Sequence, residues 1–271
     1  MMEWKEPRMF LCDGRLTNHS FKIDLLIMRL LFIFYLVLLH FLIGITLIKT
    51  DIVLRIQSRL GYNIKQVEIT PFYYEMVEFH RRVDKNILDN SVIFLGDSLI
   101  QGVAVSAVVS PSVNFGIGAD TTTGLIQRIP EYSSISRSKT VVIAIGINDL
   151  NRRDNKEIIS NYKKIISLIP SNIKILFSAI LPIDESTSIT GLSNERIRSI
   201  NIELEVLCSK SQRLYFLDIT EQLTRADGQL SEEFHIGDGL HLNSSGNRIW
   251  ISNLKEGLSE INPDYNGNTQ E

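Results

Sequence analysis

The chain has 271 residues, 44% of them hydrophobic and 22% charged, enough to bury one large core or two small ones. A formal net charge of -3 gives no basic face of the kind a nucleic-acid binder needs. Cys12 and Cys208, the only cysteines and far apart, imply neither a disulfide framework nor a cysteine metal site.

Residues 1–24 are polar and mixed, and read as a short tail. Residues 25–48 (LLIMRLLFIFYLVLLHFLIGITLI) follow, and from Leu30 to Ile48 the only side chain of the Asp, Glu, Lys, Arg or His kind is His40. At 1.5 Å per residue that stretch spans roughly 28 Å, close to the hydrocarbon thickness of a bilayer. It reads as a single-pass transmembrane helix. A buried core helix and a cleaved signal peptide are the rivals, although GITLIKTD has no small-x-small cleavage site. Arg29 stands near one end, where its stem can snorkel. Lys5, Arg8, Arg15, Lys22 and Arg29 lie before Leu30, while Lys49, Arg55, Arg59 and Lys65 lie after Ile48. That small bias places the N-terminus inside and the rest of the chain on the extracytoplasmic side.

Residues 49–87 form a linker and lead-in. Within it, 51–70 suggests a juxtamembrane helix broken at Gly61, and Thr70–Asp89 a helix entering the main domain. Five apolar runs then read as strands: 91–96, 112–116, 139–146, 173–180 and 213–219. The continuous apolarity of 139–146, repeated at 173–180, suits strands buried on both faces. Helical patterns fill the gaps at 120–129, 155–169, 193–209 and 244–258. In the second, Ile158, Ile159, Tyr162, Ile165, Ile166 and Ile169 keep a helical period that Pro170 ends. Ser193 is a candidate cap for the third. Alternating strands and helices predict an α/β fold with one five-stranded parallel sheet covered on both sides. The main domain is placed at 88–258 and a flexible tail at 259–271.

Four short motifs carry the chemistry. GDSL (Gly96–Leu99) follows the first strand, where the carboxyl ends of parallel strands line a crevice. Ser98 would begin the next helix beside free N–H groups, although Ser98 or Asp97 could equally be a cap. NFGIGAD (Asn114–Asp120) follows the second strand and offers the Ala119 N–H. IGIND (Ile145–Asp149) follows the third and offers the Asn148 amide, a device known for holding an oxyanion. Either could also be a plain turn. DGLHLNSSG (Asp238–Gly246) precedes the last helix. Its Asp-x-x-His spacing lets the Asp238 carboxylate reach Nδ1 of His241 and leaves Nε2 free to take a serine proton. A zinc site would need three or four convergent ligands, and with five histidines none is obvious.

Together, and in this order, the motifs resemble the four blocks of the SGNH hydrolases, the GDSL esterase and lipase family, over roughly residues 88–258. The resemblance implies a flavodoxin-like three-layer sandwich. It also implies Ser98 as nucleophile, His241 as general base and then acid, and Asp238 as its orienting partner. The oxyanion hole would be formed by the Ser98 N–H, the Ala119 N–H and the Asn148 side chain. Alanine stands where the family has glycine at 119, and its N–H can still donate. No cofactor or metal is required. The expected substrate is a small-molecule, lipid or glycan ester. The activity expected is that of a serine esterase, lysophospholipase-like in one version. The alternatives are an O-acetyl esterase on cell-surface glycans and a non-catalytic binding protein on the same fold.

Overall fold

The computed structural model describes residues 15–49, 68–187 and 192–263, and divides into two units, Met1–Ile64 and Lys65–Glu271. In the first unit, helix α1 runs from Arg15 to Lys49. It starts before the apolar run, so part of the expected polar tail is helical. Its stretch Leu26–Thr46 is 21 residues long with a mean hydropathy of 2.5 and no buried residues, apolar and long enough to cross a membrane. Two of its polar side chains bond back to the helix: His40 Nδ1 lies 2.6 Å from Leu36 O, and Thr46 Oγ1 donates to Leu42 O at 2.9 Å. This matters in hydrocarbon, where no water can replace a missing partner. The juxtamembrane helix expected over 51–70, with its break at Gly61, lies almost wholly outside the described residues.

The second unit opens with α2 (Pro71–Asp84), whose N-cap Thr70 accepts from the Tyr73 N–H. The helix is shorter than the expected 70–89. The five strands are β1 (Val92–Gly96), β2 (Ser112–Gly116), β3 (Thr140–Ala144), β4 (Lys174–Ser178) and β5 (Leu214–Leu217). All pair in parallel, in the order β2-β1-β3-β4-β5. This is the flavodoxin-like order, with its switch point between β1 and β3.

Successive strand residues point to opposite faces, and both faces are apolar. Ile93, Leu95, Val141, Ile143, Ile175 and Phe177 join one core, packed with Leu125 of α4 (Thr122–Arg128), Ile158, Tyr162 and Ile165 of α5 (Asn155–Leu168), and Ile200 and Leu204 of α6 (Asn194–Cys208). Val92, Phe94, Val142 and Leu176 join the other, with Trp250, Leu254 and Leu258 of α8 (Ser244–Ile261). Trp250 is fully buried, and its ring N–H donates to Ser178 Oγ at 3.0 Å. Two four-residue helices, α3 (Ser98–Gln101) and α7 (Thr220–Leu223), complete the described elements of α type.

Two local expectations change. Ser193 occupies the N-cap position of α6, but its side chain makes no capping bond; instead Glu185 Oε1 accepts from the Asn194 N–H at 2.7 Å. The last helix continues to Ile261 rather than stopping at 258, because Leu258 and Ile261 still pack into the core. Residues 264–271, the remainder of the expected tail, lie outside the described residues.

Candidate active site

Register brings the motifs together. Gly96 pairs with Gly116 of β2 on one side and with Ala144 of β3 on the other. The loops carrying Ser98, Ala119 and Asn148 therefore leave three adjacent strands at one edge of the sheet. Gly96 is required there, since a Cβ would sit 2.2 Å from Ala144 O. The fourth motif reaches the same edge from the loop before α8.

Ser98 is the first residue of α3 and half-buried. Asp97 precedes it as N-cap, accepting from the Leu99 N–H at 2.9 Å. Ser98 Oγ lies 2.9 Å from His241 Nε2, and His241 Nδ1 lies 2.6 Å from Asp238 Oδ2. A carboxylate beside Nδ1 fixes the ring proton there, so Nε2 presents its lone pair to the serine hydroxyl. The other Asp238 oxygen accepts from the backbone N–H groups of Leu240 (3.0 Å) and His241 (2.9 Å). Partial burial works to raise the Asp238 pKa, but the imidazole and the two N–H groups outweigh it and hold the carboxyl below its ordinary value. The His241 and Asp238 side chains are 37% and 41% exposed, so the pair is open to an incoming molecule.

Ala119 is exposed and adopts φ +62°, the left-handed region that favours glycine. Asn148, in a single 3-10 turn after β3, donates from Nδ2 to Asp120 O at 2.9 Å. The bond uses one of its two amide N–H groups and ties the third motif to the second. Asp149 ties them again: its carboxylate accepts from the Thr122 N–H (3.0 Å) and Thr122 Oγ1 (2.5 Å). Arg153 bonds both Asp149 and Glu68, and Glu68 in turn accepts from Thr121 Oγ1 at 2.6 Å.

Beneath this layer lies a buried cluster that no motif predicted. Arg128, 1% exposed, donates to Asp120 Oδ2 (2.8 Å), Phe115 O (2.7 Å) and Gly96 O (2.9 Å). One guanidinium thus holds the ends of β1 and β2 and the residue after Ala119. Burial pushes Asp120 up to about 6 despite Arg128, and pushes Asp97 up to about 7 against the Leu99 N–H bond. A charged residue on the apolar face of a helix pattern, as Arg128 is beside Leu125, was the one sequence signal for this cluster. Among the described residues no group of three or more His, Cys, Asp or Glu side chains is placed to hold a metal ion.

A parallel sheet with an activated serine at its carboxyl edge defines a serine hydrolase. The model of the GDSL-like Lipase/Acylhydrolase family matches residues 94–249, and the chain belongs to that family. It is 29% identical over 205 residues to the N-acylneuraminate cytidylyltransferase of Streptococcus agalactiae, a match covering 74% of this chain and 45% of that protein. The chain thus spans less than half the length of that relative. It is 28% identical over 166 residues to the human platelet-activating factor acetylhydrolase IB subunit alpha2, covering 57% of this chain and 70% of that one. The solved structure of a GDSL-like lipase from Bacteroides thetaiotaomicron shares the fold, with a TM-score of 0.60 at 17% identity over 68% of this chain and 98% of that one.

Proposed function

We propose that the chain is a serine esterase working through an acyl-enzyme on a lysophospholipid-like ester, held to a membrane by α1 with its catalytic unit on the extracytoplasmic side. The observation that carries the catalytic reading is the unbroken chain from Ser98 Oγ to His241 (2.9 Å) to Asp238 (2.6 Å). His241 Nε2 takes the Ser98 proton as Oγ attacks the ester carbonyl. The tetrahedral oxyanion is received by the N–H groups of Ser98 and Ala119 and by Asn148. His241 then returns the proton to the leaving alcohol, and water releases the acyl group by the reverse path.

Two apolar side chains at the site favour a lipid ester. Ile236, two residues before Asp238, is 66% exposed. Phe72 is also exposed, and its ring edge lies 3.5 Å from where a Cβ of Gly118 would stand. The relative named platelet-activating factor acetylhydrolase suits the same reading. A second reading, an O-acetyl esterase on cell-surface glycans, is favoured by the relative named for an N-acylneuraminate. A non-catalytic role on the same fold is disfavoured by the complete Ser98–His241–Asp238 chain.

The test is an ester panel on the full chain in detergent: p-nitrophenyl acetate, longer acyl esters, lysophospholipid and acetylated sugars. Ser98→Ala is expected to abolish turnover, and Asn148→Ala to cost about 3 kcal/mol of transition-state stabilisation, seen in kcat rather than KM. Wild-type rates in Ser98→Ala would sink the catalytic reading. Preference for acetylated sugars over lysophospholipid would select the second one.

A further inference from the structure

His235 stands outside the Ser98–His241–Asp238 chain, yet it is built into the same loop. Its side chain is 4% exposed. Nδ1 lies 3.0 Å from Gly237 N and 3.1 Å from Gly239 N. A backbone N–H can only donate, so Nδ1 is a bare acceptor and the ring proton resides on Nε2. That Nε2–H is the one buried side-chain polar group among the described residues without a hydrogen-bond partner. It faces Asp184 Oδ2 at 3.9 Å, beyond hydrogen-bond reach. The hydroxyls of Ser186 and Thr187 hold Asp184 down at about 2, so this neighbour is an anion. An anion facing Nε2 favours a proton there and repels the lone pair of the other tautomer.

The two donors flank Asp238 on either side. Gly237 and Gly239 both sit in the left-handed region, at φ +99° and +70°. The far side of the turn is pinned as well, since the Asp184 N–H donates to Gly239 O at 2.8 Å. A Cβ on Gly239 would come within 2.7 Å of Asp184 O. Asp238 therefore hangs from a turn whose two inward N–H groups converge on a single imidazole nitrogen.

We propose that His235 is a positioning residue for the catalytic pair: as its Nε2–H tautomer it gathers the N–H groups of Gly237 and Gly239 and so sets the reach of Asp238 to His241. The proposal rests on the esterase reading, in which Asp238 orients His241. Its logic is that of a supporting residue one contact removed from the chemistry, where a small misplacement of the reacting groups is costly in rate.

The substitutions His235→Asn and His235→Phe separate this role from packing. Asparagine is smaller, but its Oδ1 stands as many bonds from the backbone as Nδ1 and can accept both N–H groups. Phenylalanine keeps the bulk and loses the acceptor. In the full chain with p-nitrophenyl acetate, His235→Phe should lower kcat on the order of 10- to 100-fold with little change in KM. His235→Asn should recover most of that loss. In an Asp238→Asn background the phenylalanine change should have almost no further effect, since the two residues act in one unit. An asparagine variant slower than the phenylalanine variant, or the same fold-loss with and without Asp238, overturns the proposal. One measurement needs no variant to fold: the ¹⁵N shift of His235 Nδ1 in the wild-type chain should be that of an unprotonated nitrogen, and a protonated value overturns the proposal too. Ser98→Ala run beside these reports on the esterase reading separately, and the tautomer measurement stands whichever way that falls.

Discussion

Ala119 carries a backbone angle that glycine would carry with less strain. A left-handed conformation costs an L-residue about 1–2 kcal/mol, and glycine would give back about 0.5–1 kcal/mol through the greater freedom of its unfolded chain. The balance predicts that Ala119→Gly stabilises the protein by up to about 1 kcal/mol, seen as a higher urea midpoint at unchanged slope. Turnover should stay at or above that of the parent, since the oxyanion donor we propose is the backbone N–H. A lower midpoint would mean that the methyl group packs usefully, which its exposure at φ +62° argues against. The strain could be suspected beforehand only because alanine stood where glycine was expected. Ser98, Asn148, Asp238 and His241 were legible because each sits in a short motif next to a strand or helix end, and the signal is local. Arg128 and His235 were not. Their importance comes from burial, which residues distant in sequence decide: Arg128 reaches Gly96 O, 32 positions away.

At the scale of elements, the sheet was readable because buried parallel strands are apolar throughout, and β1, β3 and β4 are apolar on both faces. Of the two four-residue helices, the start of α3 at Ser98 was readable from the glycine turn after β1, whereas α7 was not, since one turn is too short to show a period. Helix α3 holds Ser98, the nucleophile we propose, and its cap Asp97 brings a penalty that depends on pH. Burial pushes Asp97 from its ordinary 3.8 up to about 7. A carboxyl with a raised folded pKa binds more protons in the native state than in the unfolded one. The contribution of Asp97 to stability is therefore most favourable below 3.8 and falls as pH rises towards 7, after which its penalty is complete. Asp97→Asn keeps an oxygen for the Leu99 N–H and removes the ionisation. It should stabilise the protein by a few kcal/mol, roughly, at pH 8, with the advantage shrinking towards pH 4. Denaturation curves at both values check this. An advantage that does not vary with pH would show that Asp97 titrates in its ordinary range.

For the whole molecule the open proposal is topology, and the chain carries its own probe. Cys12 precedes α1, on the side of the apolar stretch where the basic residues are slightly more numerous. Cys208 is 3% exposed, and burial pushes its thiol up to about 12, so it stays silent towards thiol reagents in the folded protein. A membrane-impermeant maleimide applied to intact cells therefore reports on Cys12 alone, with Cys208→Ser as the control. If α1 spans the bilayer with its N-terminus inside, Cys12 is labelled only after permeabilisation, and the protein stays with the membrane through an alkaline carbonate wash. Labelling in intact cells would turn the orientation round and put the catalytic unit in the cytoplasm. Release by carbonate would remove the span itself, and leave the 21-residue, largely apolar stretch Leu26–Thr46 in need of another burial partner. The expected result has a consequence for substrate. A serine hydrolase tethered at an outer surface, with Phe72 exposed beside Gly118 and Ile236 exposed two residues before Asp238, would meet lipid esters at high local concentration without first extracting them into water.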